Sequence, residues 1–403
     1  MLFAGRRYGK TVGATVGQPV LVVGVTSAQS CLLLRGRLST LREAGFQVTV
    51  VSSPGALLEN TAEAEGVQAV AVPMQRRIAP LADLLSLYRL WRLLGSLRPD
   101  MVEFSTPKAG LLGTLAARLR HVPLRIYMMR GLRLETTYGF QRLLLMQMEK
   151  LAAAGANIVL CNSLSLKMQA LALELAPAAK LHLLGGGSSN GVDMERFSPG
   201  PTHLREELGI GKDQPVIGFV GRLTCDKGVP ELVAAFEVIL EEEPEAWLLL
   251  VGWFDEAEDA LPLPLRERIL AHPRILLTGM VSDTAEYYRA MEMLVLPTWR
   301  EGFPNVVLEA SATGIPVITT ESTGSRDSVV PEVTGLLILP GYPEAICEAV
   351  LTLLQNPERR RNMGQAARAW ILAHYAEENV LSRTVAFYKQ LNAQRQGQME
   401  HLH

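Results

Sequence analysis

Two cations and two carboxylates in the second half of the chain have spacings that suit a polar, phosphorylated ligand. Arg222 and Lys227 stand five residues apart in Gly221-Arg222-Leu223-Thr224-Cys225-Asp226-Lys227-Gly228, directly after the apolar run Val216–Val220. A strand ending there and a helix beginning after Gly228 would aim both side chains, and the positive end of the helix, at one point. That arrangement suits a diphosphate; an ordinary solvated loop between strand and helix would share the pattern. Glu301 and Glu309 lie eight residues apart in Pro297-Thr298-Trp299-Arg300-Glu301-Gly302-Phe303-Pro304-Asn305-Val306-Val307-Leu308-Glu309-Ala310. Glu301 falls on a loop at a strand's carboxyl end, Glu309 on the helix after it, with Pro304 at the expected first helical position. One carboxylate would accept from hydroxyls at one end of a ligand and the other from those at the far end. Backbone N–H groups at Gly302–Asn305 would take an anion between them. Glu309 sits in a largely apolar run, where a carboxylate is costly unless it is hydrogen-bonded. That favours a functional role over a chance pair on a solvated helix.

The elements that position these residues follow from the alternation of short apolar runs with amphipathic segments, which predicts parallel sheets covered by helices. In the first half, strands are expected at Val20–Val25, Gln47–Val51, Gln68–Val72, Met101–Phe104, Leu124–Met128 and Ala156–Cys161. Helices are expected at Leu32–Ala44, Leu81–Leu97, Gly110–Leu119 and Phe140–Ala154. The Gly-rich stretch Gly185–Gly191 reads as a flexible domain junction. A second series of strands follows at Val216–Val220, Trp247–Val251, Arg274–Leu277, Met293–Leu296 and Pro316–Thr320, then a charged helical end from Pro357 to Leu391. Two Rossmann-like units in tandem are therefore expected, with ligands in a cleft at the carboxyl ends of the strands. Residues 1–18 read as a loose extension.

Length and charge narrow the functions. The 403 residues, 48% hydrophobic and 20% charged, allow two full cores. No apolar run reaches the roughly 18 residues of a membrane-spanning helix, and no signal-peptide pattern precedes the first strand. Cys31, Cys161, Cys225 and Cys347 are too scattered for a disulfide framework or a zinc site, so a reducing cytoplasm is expected. Residues 1–200 carry 22 Lys+Arg against 12 Asp+Glu, a net of +10; the remainder carries 17 against 29, a net of −12. A basic first half suits an anionic partner. Arg76, Arg77, Arg89 and Arg92 lie on or before the helix bearing Leu87, Leu90, Trp91 and Leu94. That surface is expected either to rest on an anionic inner membrane leaflet or, for its leucines, to face the core. Nucleic-acid binding is not expected, since no recognition motif is present and the acidic half opposes it. Asp255-Glu256-Ala257-Glu258-Asp259 reads as a solvated acidic loop and not a metal site.

Gly221-Arg222…Lys227-Gly228 followed by Glu301-x7-Glu309 resembles the retaining glycosyltransferases of family 4, which have the GT-B fold. Ser105-Thr106-Pro107-Lys108-Ala109-Gly110, Arg130-Gly131-Leu132 and Gly187-Ser188-Ser189-Asn190-Gly191-Val192-Asp193…Arg196-Phe197 are similar to one branch of that family. That branch holds the CapM-like and PglA-like enzymes of bacterial capsule, exopolysaccharide and protein-linked glycan assembly. The resemblance implies an α/β fold of two Rossmann-like domains, 19–195 for the acceptor and 196–370 for the nucleotide sugar, with helices in 371–403 packing back on the first. It implies transfer of a hexose or N-acetylhexosamine from a UDP-sugar to a polyprenyl-diphosphate-linked sugar, without a metal or other cofactor. Arg222 and Lys227 would bind the donor diphosphate, Glu309 the ribose, and Glu301 the transferred sugar. Gly221, Gly302, Phe303, Pro304, Asn305 and Val306 would line the donor site, and Val281, in Gly279-Met280-Val281, the base pocket. Lys108 and Arg130, after strand ends facing the cleft, are expected to meet the acceptor phosphates.

The sequence departs from the family in two places: the glycine-rich turn often seen after the first strand is reduced to Gly24-Val25-Thr26-Ser27-Ala28-Gln29-Ser30, so donor phosphate contacts are not expected from that side, and a first-domain His is missing. Many members put a His at the end of a first-domain strand facing the donor sugar, whereas Tyr127-Met128-Met129-Arg130-Gly131-Leu132 has none and offers Arg130. An Arg is not a base at neutral pH. Other functions fit less well. A UDP-sugar 2-epimerase would need His and carboxylates in the cleft, a dinucleotide oxidoreductase a GxGxxG turn after the first strand. A non-catalytic sugar-nucleotide-binding subunit would not need all four charged residues. A GDP-sugar donor remains the alternative within the class.

Overall fold

The short apolar runs of the first half form seven parallel strands: β1 Val20–Gly24, β2 Gln47–Ser52, β3 Gln68–Ala71, β4 Met101–Ser105, β5 Leu124–Met129, β6 Ile158–Cys161 and β7 Leu181–Leu183. Those of the second half form six: β8 Val216–Val220, β9 Trp247–Val251, β10 Ile275–Leu277, β11 Met293–Leu296, β12 Val317–Thr320 and β13 Gly335–Ile338. The sheet orders are β3-β2-β1-β4-β5-β6-β7 and β10-β9-β8-β11-β12-β13. The computed structural model describes residues 17–75, 77–188, 190–256 and 259–400, and no side chain beyond 397. The expected extension over residues 1–18 lies almost wholly outside them, as do Arg76, Ser189 and Glu258.

Helices connect the strands. In the first unit these are α1 Arg37–Glu43, α2 Ala56–Glu65, α3 Pro80–Leu97, α4 Pro107–Leu119, α5 Gly139–Gly155 and α6 Leu164–Ala172. In the second they are α7 Leu204–Glu207, α8 Val229–Glu242, α9 Leu263–Ala271, α10 Ala285–Arg289, α11 Asn305–Ala312, α12 Pro343–Leu354 and α13 Pro357–His374, followed by α14 Glu377–Glu400. The central strands β4, β8 and β11 are buried along their whole length, as parallel strands covered on both faces must be. In the first unit, α3, α4 and α5 lie side by side on one face. Leu90 and Leu94 of α3 pack there with Val22, while Leu58 of α2 and Tyr388 of α14 pack with Leu21 and Val23 on the other. Of the apolar residues expected on α3, Leu90 and Leu94 are thus core, and Leu87 and Trp91 are partly buried against it. Among the described residues no helix is long and apolar enough to cross a membrane.

Two expectations are corrected. The helix expected over Leu32–Ala44 is a 3-10 turn, Ala28–Leu34, and then α1, because Gly36 adopts a left-handed φ of 72° between them. The junction read as flexible is packed. Ser188 and Asn190 are buried, Ser188 N donates to Asn162 O at 2.7 Å, and Asn190 Nδ2 donates to Leu33 O at 2.8 Å. The glycines there permit close approach, since a β-carbon on Gly187 would collide with the Asn162 carbonyl.

The chain crosses between units twice, side by side: Val192 N donates to Tyr375 O and Glu377 N to Val192 O, both at 2.9 Å. After the second crossing α14 returns to the first unit. Arg37 Nη1 donates to Glu103 Oε1 and Arg37 Nη2 to Tyr388 Oη, both at 2.9 Å, with all three side chains buried.

Candidate active site

The carboxyl edges of the two sheets face one another across an open cleft that holds a cavity of about 260 Å³. Its wall from the second unit is built by Val220, Gly221, Lys227, Leu296 and the run Glu301–Val306; the first unit contributes Leu33, Arg130 and Asn162. Gly221, Lys227, Glu301, Gly302, Phe303, Pro304, Asn305, Val306 and Arg130, all named from the sequence, therefore meet in one place. Leu33, Asn162, Val220 and Leu296 were not foreseen. Asn162, directly after β6, follows the rule that ligands gather beyond strand ends.

Lys227 reaches the cleft because β8 ends at Val220 and the chain winds through a 3-10 turn, Cys225–Lys227, before α8. Gly228, at a left-handed φ of 73°, makes the turn possible, and a β-carbon there would strike the Pro297 carbonyl at the end of β11. The Lys227 ammonium meets the Glu301 carboxylate. A second ion pair braces the first: Arg300 Nη2 donates to Asp226 Oδ2 at 2.8 Å, and Asp226 also accepts from Thr224 Oγ1 at 2.6 Å. Nearby cations, Arg300 foremost, hold the Asp226 carboxyl below the usual carboxylate range against the upward push of burial. Arg222 lies outside the residues lining the cavity; its Nη1 donates to Asp255 Oδ2 at 2.9 Å.

Glu309 lies one turn into α11, which starts at Asn305, one residue later than the sequence predicts. It is anchored from α10: Tyr288 Oη donates to Glu309 Oε2 at 2.7 Å, and Thr284 Oγ1 does so at 3.5 Å. Burial pushes the Glu309 carboxyl up to about 7, with the tyrosine hydrogen bond opposing the rise.

One expectation requires correction. Lys108 does not face the cleft: it is 5% exposed, and its Nζ donates to both Asp83 carboxylate oxygens, at 2.7 and 2.9 Å, and to the Arg77 carbonyl. Asp83, in the first turn of α3, takes this charge and fixes α3 to α4. Val281 is half-buried against the second core and is not among the residues lining the cavity. The acidic loop after β9 is tied down at both described ends, with Asp255 on Arg222, Glu256 on Arg266 at 2.6 Å, and Asp259 3.6 Å from Arg300.

The units also touch directly. Arg300 Nε donates to Thr136 Oγ1 at 2.8 Å, Thr323 Oγ1 to Glu135 Oε1 at 2.6 Å, and Ser165 Oγ to Asp327 Oδ2 at 2.6 Å. Gly302 is pressed against the first unit so closely that a β-carbon there would overlap the Arg130 carbonyl. Arg130 itself lines the cleft, and burial pulls its guanidinium down to about 10, with Arg37 adding to the effect. Among the described residues no His lines the cavity.

Residues 202–370 match the family model for glycosyl transferases group 1, and residues 35–187 match that for the glycosyl transferase 4-like domain. A capsular polysaccharide biosynthesis glycosyltransferase, CapM of Staphylococcus aureus, is 36% identical over 93% of this chain and 97% of its own. The chain belongs to the CapM-like glycosyltransferases of family 4. An Escherichia coli UDP-Gal:alpha-D-GlcNAc-diphosphoundecaprenol alpha-1,3-galactosyltransferase is 30% identical to this glycosyltransferase, over 68% of the chain and 71% of its own length. Among solved structures, the transferase superposes on Anabaena HepE in complex with UDP with a TM-score of 0.76, at 18% identity, covering 93% of this chain and all of that one. The sucrose-phosphate synthase of Thermosynechococcus elongatus gives 0.77 at 22% identity, over 93% and 99%. The GT-B architecture of this glycosyltransferase is therefore shared with both solved structures.

Proposed function

We propose that this glycosyltransferase moves a sugar, a hexose or N-acetylhexosamine, from a UDP-sugar to a polyprenyl-diphosphate-linked sugar, with retention of configuration and without a metal, in the assembly of a bacterial surface polysaccharide or glycan. The observation that carries the reading is the contact of Lys227 with Glu301 beside the backbone of Gly302–Val306 in the interdomain cleft. A donor diphosphate entering there takes the ammonium from the carboxylate. The freed Glu301 then has both oxygens available to hydroxyls of the transferred sugar, so one exchange of partners serves both halves of the donor. Arg222, on the same loop, supplies a second positive charge for the departing diphosphate. Glu309, once ionised, accepts from the two ribose hydroxyls.

Retention is supported by what lines the cavity. Retaining glycosidases place two carboxyl groups about 5 Å apart, one of them a nucleophile. Among the described residues Glu301 is the one carboxylate lining this cavity, and it is neutralised by Lys227. Attack by the acceptor on the face the diphosphate leaves, with a phosphate oxygen taking the acceptor's proton, needs no protein nucleophile. The lipid-linked acceptor and the UDP donor draw support from the E. coli relative and from HepE, whose descriptions name such molecules. A cytoplasmic protein at the inner face of the membrane is the setting this acceptor requires.

Calorimetric titration with UDP, GDP, ADP, TDP and NAD tests the donor, with selective UDP binding expected. A preference for GDP would overturn the UDP assignment, and binding of NAD alone would overturn the class. Transfer from a panel of UDP-sugars to a synthetic prenyl-diphosphate sugar, with the anomeric configuration read by NMR, tests the rest; an inverted product would refute retention.

A further inference from the structure

Asn162 directly follows β6 at the carboxyl edge of the first sheet and lines the cleft cavity with the donor loop Glu301–Val306. The residue is 6% exposed, and among the described residues its Oδ1 is buried with no hydrogen-bond partner. A buried carbonyl oxygen without a donor costs stability, because water satisfied it in the unfolded chain. Few such atoms persist in a folded protein, and each calls for a reason. Among the described residues, Asn162 is the one whose unpartnered side-chain oxygen belongs to a residue lining this cavity.

The backbone around it is fixed from both units. Asn162 N donates to Met129 O at 3.3 Å, and Asn162 O accepts from Ser188 N at 2.7 Å. Ser188 makes that bond at a left-handed φ of 63°, a conformation costly for a residue with a β-carbon. Ser163 caps α6, its Oγ accepting from Leu166 N at 3.2 Å, and Ser165 N donates to Asp327 Oδ2 of the second unit at 2.8 Å. A β-carbon on Gly187 would meet the Asn162 carbonyl on one side and the Phe303 ring, at 3.2 Å, on the other. Asn162 thus stands against the donor loop with its main chain held and its amide oxygen unengaged within the protein.

We propose that the Asn162 amide is a contact of the first unit with the transferred sugar and determines which sugar is accepted. The inference rests on the UDP-sugar reading of the cleft. The unengaged atom is an oxygen, so its partner must bring an O–H or N–H; an ionised diphosphate brings neither, and a ring hydroxyl does. The terminal torsion of an asparagine is broad and roughly two-fold, so a half-turn of the amide presents its oxygen to the cleft. Glu301 takes hydroxyls of the same sugar from the other unit. Two fixed acceptors on two units then define a pattern of hydroxyls. A sugar inverted at the carbon that faces Asn162, or lacking that hydroxyl, leaves the amide buried and unsatisfied. A site built to hydrogen-bond a hydroxyl rejects analogues in this way.

Calorimetry with UDP and with UDP-glucose, UDP-galactose and their N-acetylhexosamine counterparts, on the full-length parent, Asn162→Leu and Asn162→Ala, tests the contact without any turnover. Asn162→Leu keeps the size and removes the acceptor. It is expected to leave UDP affinity unchanged and to weaken the preferred UDP-sugar by about tenfold to a hundredfold. Its melting temperature is expected at or above that of the parent, because an unsatisfied buried oxygen has been removed. Among monodeoxy analogues of the preferred donor, one is expected to cost the parent that same factor and to cost Asn162→Leu nothing further. Asn162→Ala is expected to give the same pattern. Loss of UDP affinity in step with UDP-sugar affinity, an equal loss for every deoxy analogue, or unchanged binding in both variants overturns the proposal. If the expected pattern holds while no sugar reaches a prenyl-diphosphate acceptor, the acceptor reading fails and the Asn162 contact stands. If the parent prefers GDP, the UDP assignment fails, and GDP against GDP-sugars decides Asn162 by the same comparison.

Discussion

Arg300 Nε donates to Thr136 Oγ1 at 2.8 Å, while Arg300 Nη2 donates to Asp226 Oδ2 at the same distance. One guanidinium therefore joins the first unit to the turn that ends in Lys227, and its own neighbour in sequence is Glu301. The planar fork allows both bonds; a lysine would supply one point charge for two partners. Arg300→Lys and Arg300→Ala are expected to lower kcat by about a hundredfold, the cost of an ångström-scale misplacement. UDP affinity should change much less. Steady-state kinetics with calorimetry would show this, and an equal loss in both would mean that Arg300 serves donor binding alone.

Lys227→Ala removes the ammonium from the cleft without disturbing a core. Turnover is expected to fall by about 10²–10³, as when one preorganised charge partner of a leaving group is lost. The melting temperature should stay near that of the parent. An unchanged rate would remove Lys227 from the diphosphate.

Glu301→Gln keeps the shape and loses the charge. Transfer is expected to fall while UDP affinity stays close to the parent value or rises, because Lys227 no longer has a competing carboxylate. A parallel loss of UDP binding would reassign Glu301 to the nucleotide.

Glu149 and Glu309 are each buried against a tyrosine hydroxyl, and burial pushes both carboxyls up to about 7. In the unfolded chain they titrate near ~4.3. Between those values the folded state holds protons that the unfolded state has released. The contribution to stability is full below ~4.3 and is lost as pH rises through about 7, on the order of 3 kcal/mol per carboxyl. Thermal melts from pH 5 to 8 should therefore fall, and Glu149→Gln and Glu309→Gln should each flatten the decline. UDP affinity should rise over the same interval, because ribose hydroxyls donate to the ionised form, and Glu309→Gln should abolish that rise. A flat profile in the parent would refute the buried titration.

The placing of Lys227 and Glu301 at the cleft was legible in the sequence because their geometry is local. A strand that ends, a turn and a helix start fix where each side chain points, and the spacing within a dozen residues encodes it. Lys108 was misread for the complementary reason. Its surroundings place it after a strand end, but Asp83, twenty-five residues earlier, satisfies it, and no local pattern announces a partner on another element. Asn162 and the double role of Arg300 were missed in the same way, since both depend on the first and second units meeting. The strands β7 and β13, three and four residues long, carry too few side chains for an alternating pattern to appear. The packed Gly187 illustrates a different limit: composition cannot distinguish a glycine that allows motion from one that allows contact.

The return of α14 makes the first unit discontinuous in sequence. Tyr388 and Leu391 belong to the core that Leu21, Val23 and Val50 build more than three hundred residues earlier. A fragment ending at the first crossing near Val192 would leave the Arg37–Glu103 pair without its tyrosine and part of that core open to water. Exchange of the first unit between relatives would thus require two grafts made together, the N-terminal segment and the last helix. The two halves of this enzyme are modules in space but not along the gene that encodes them.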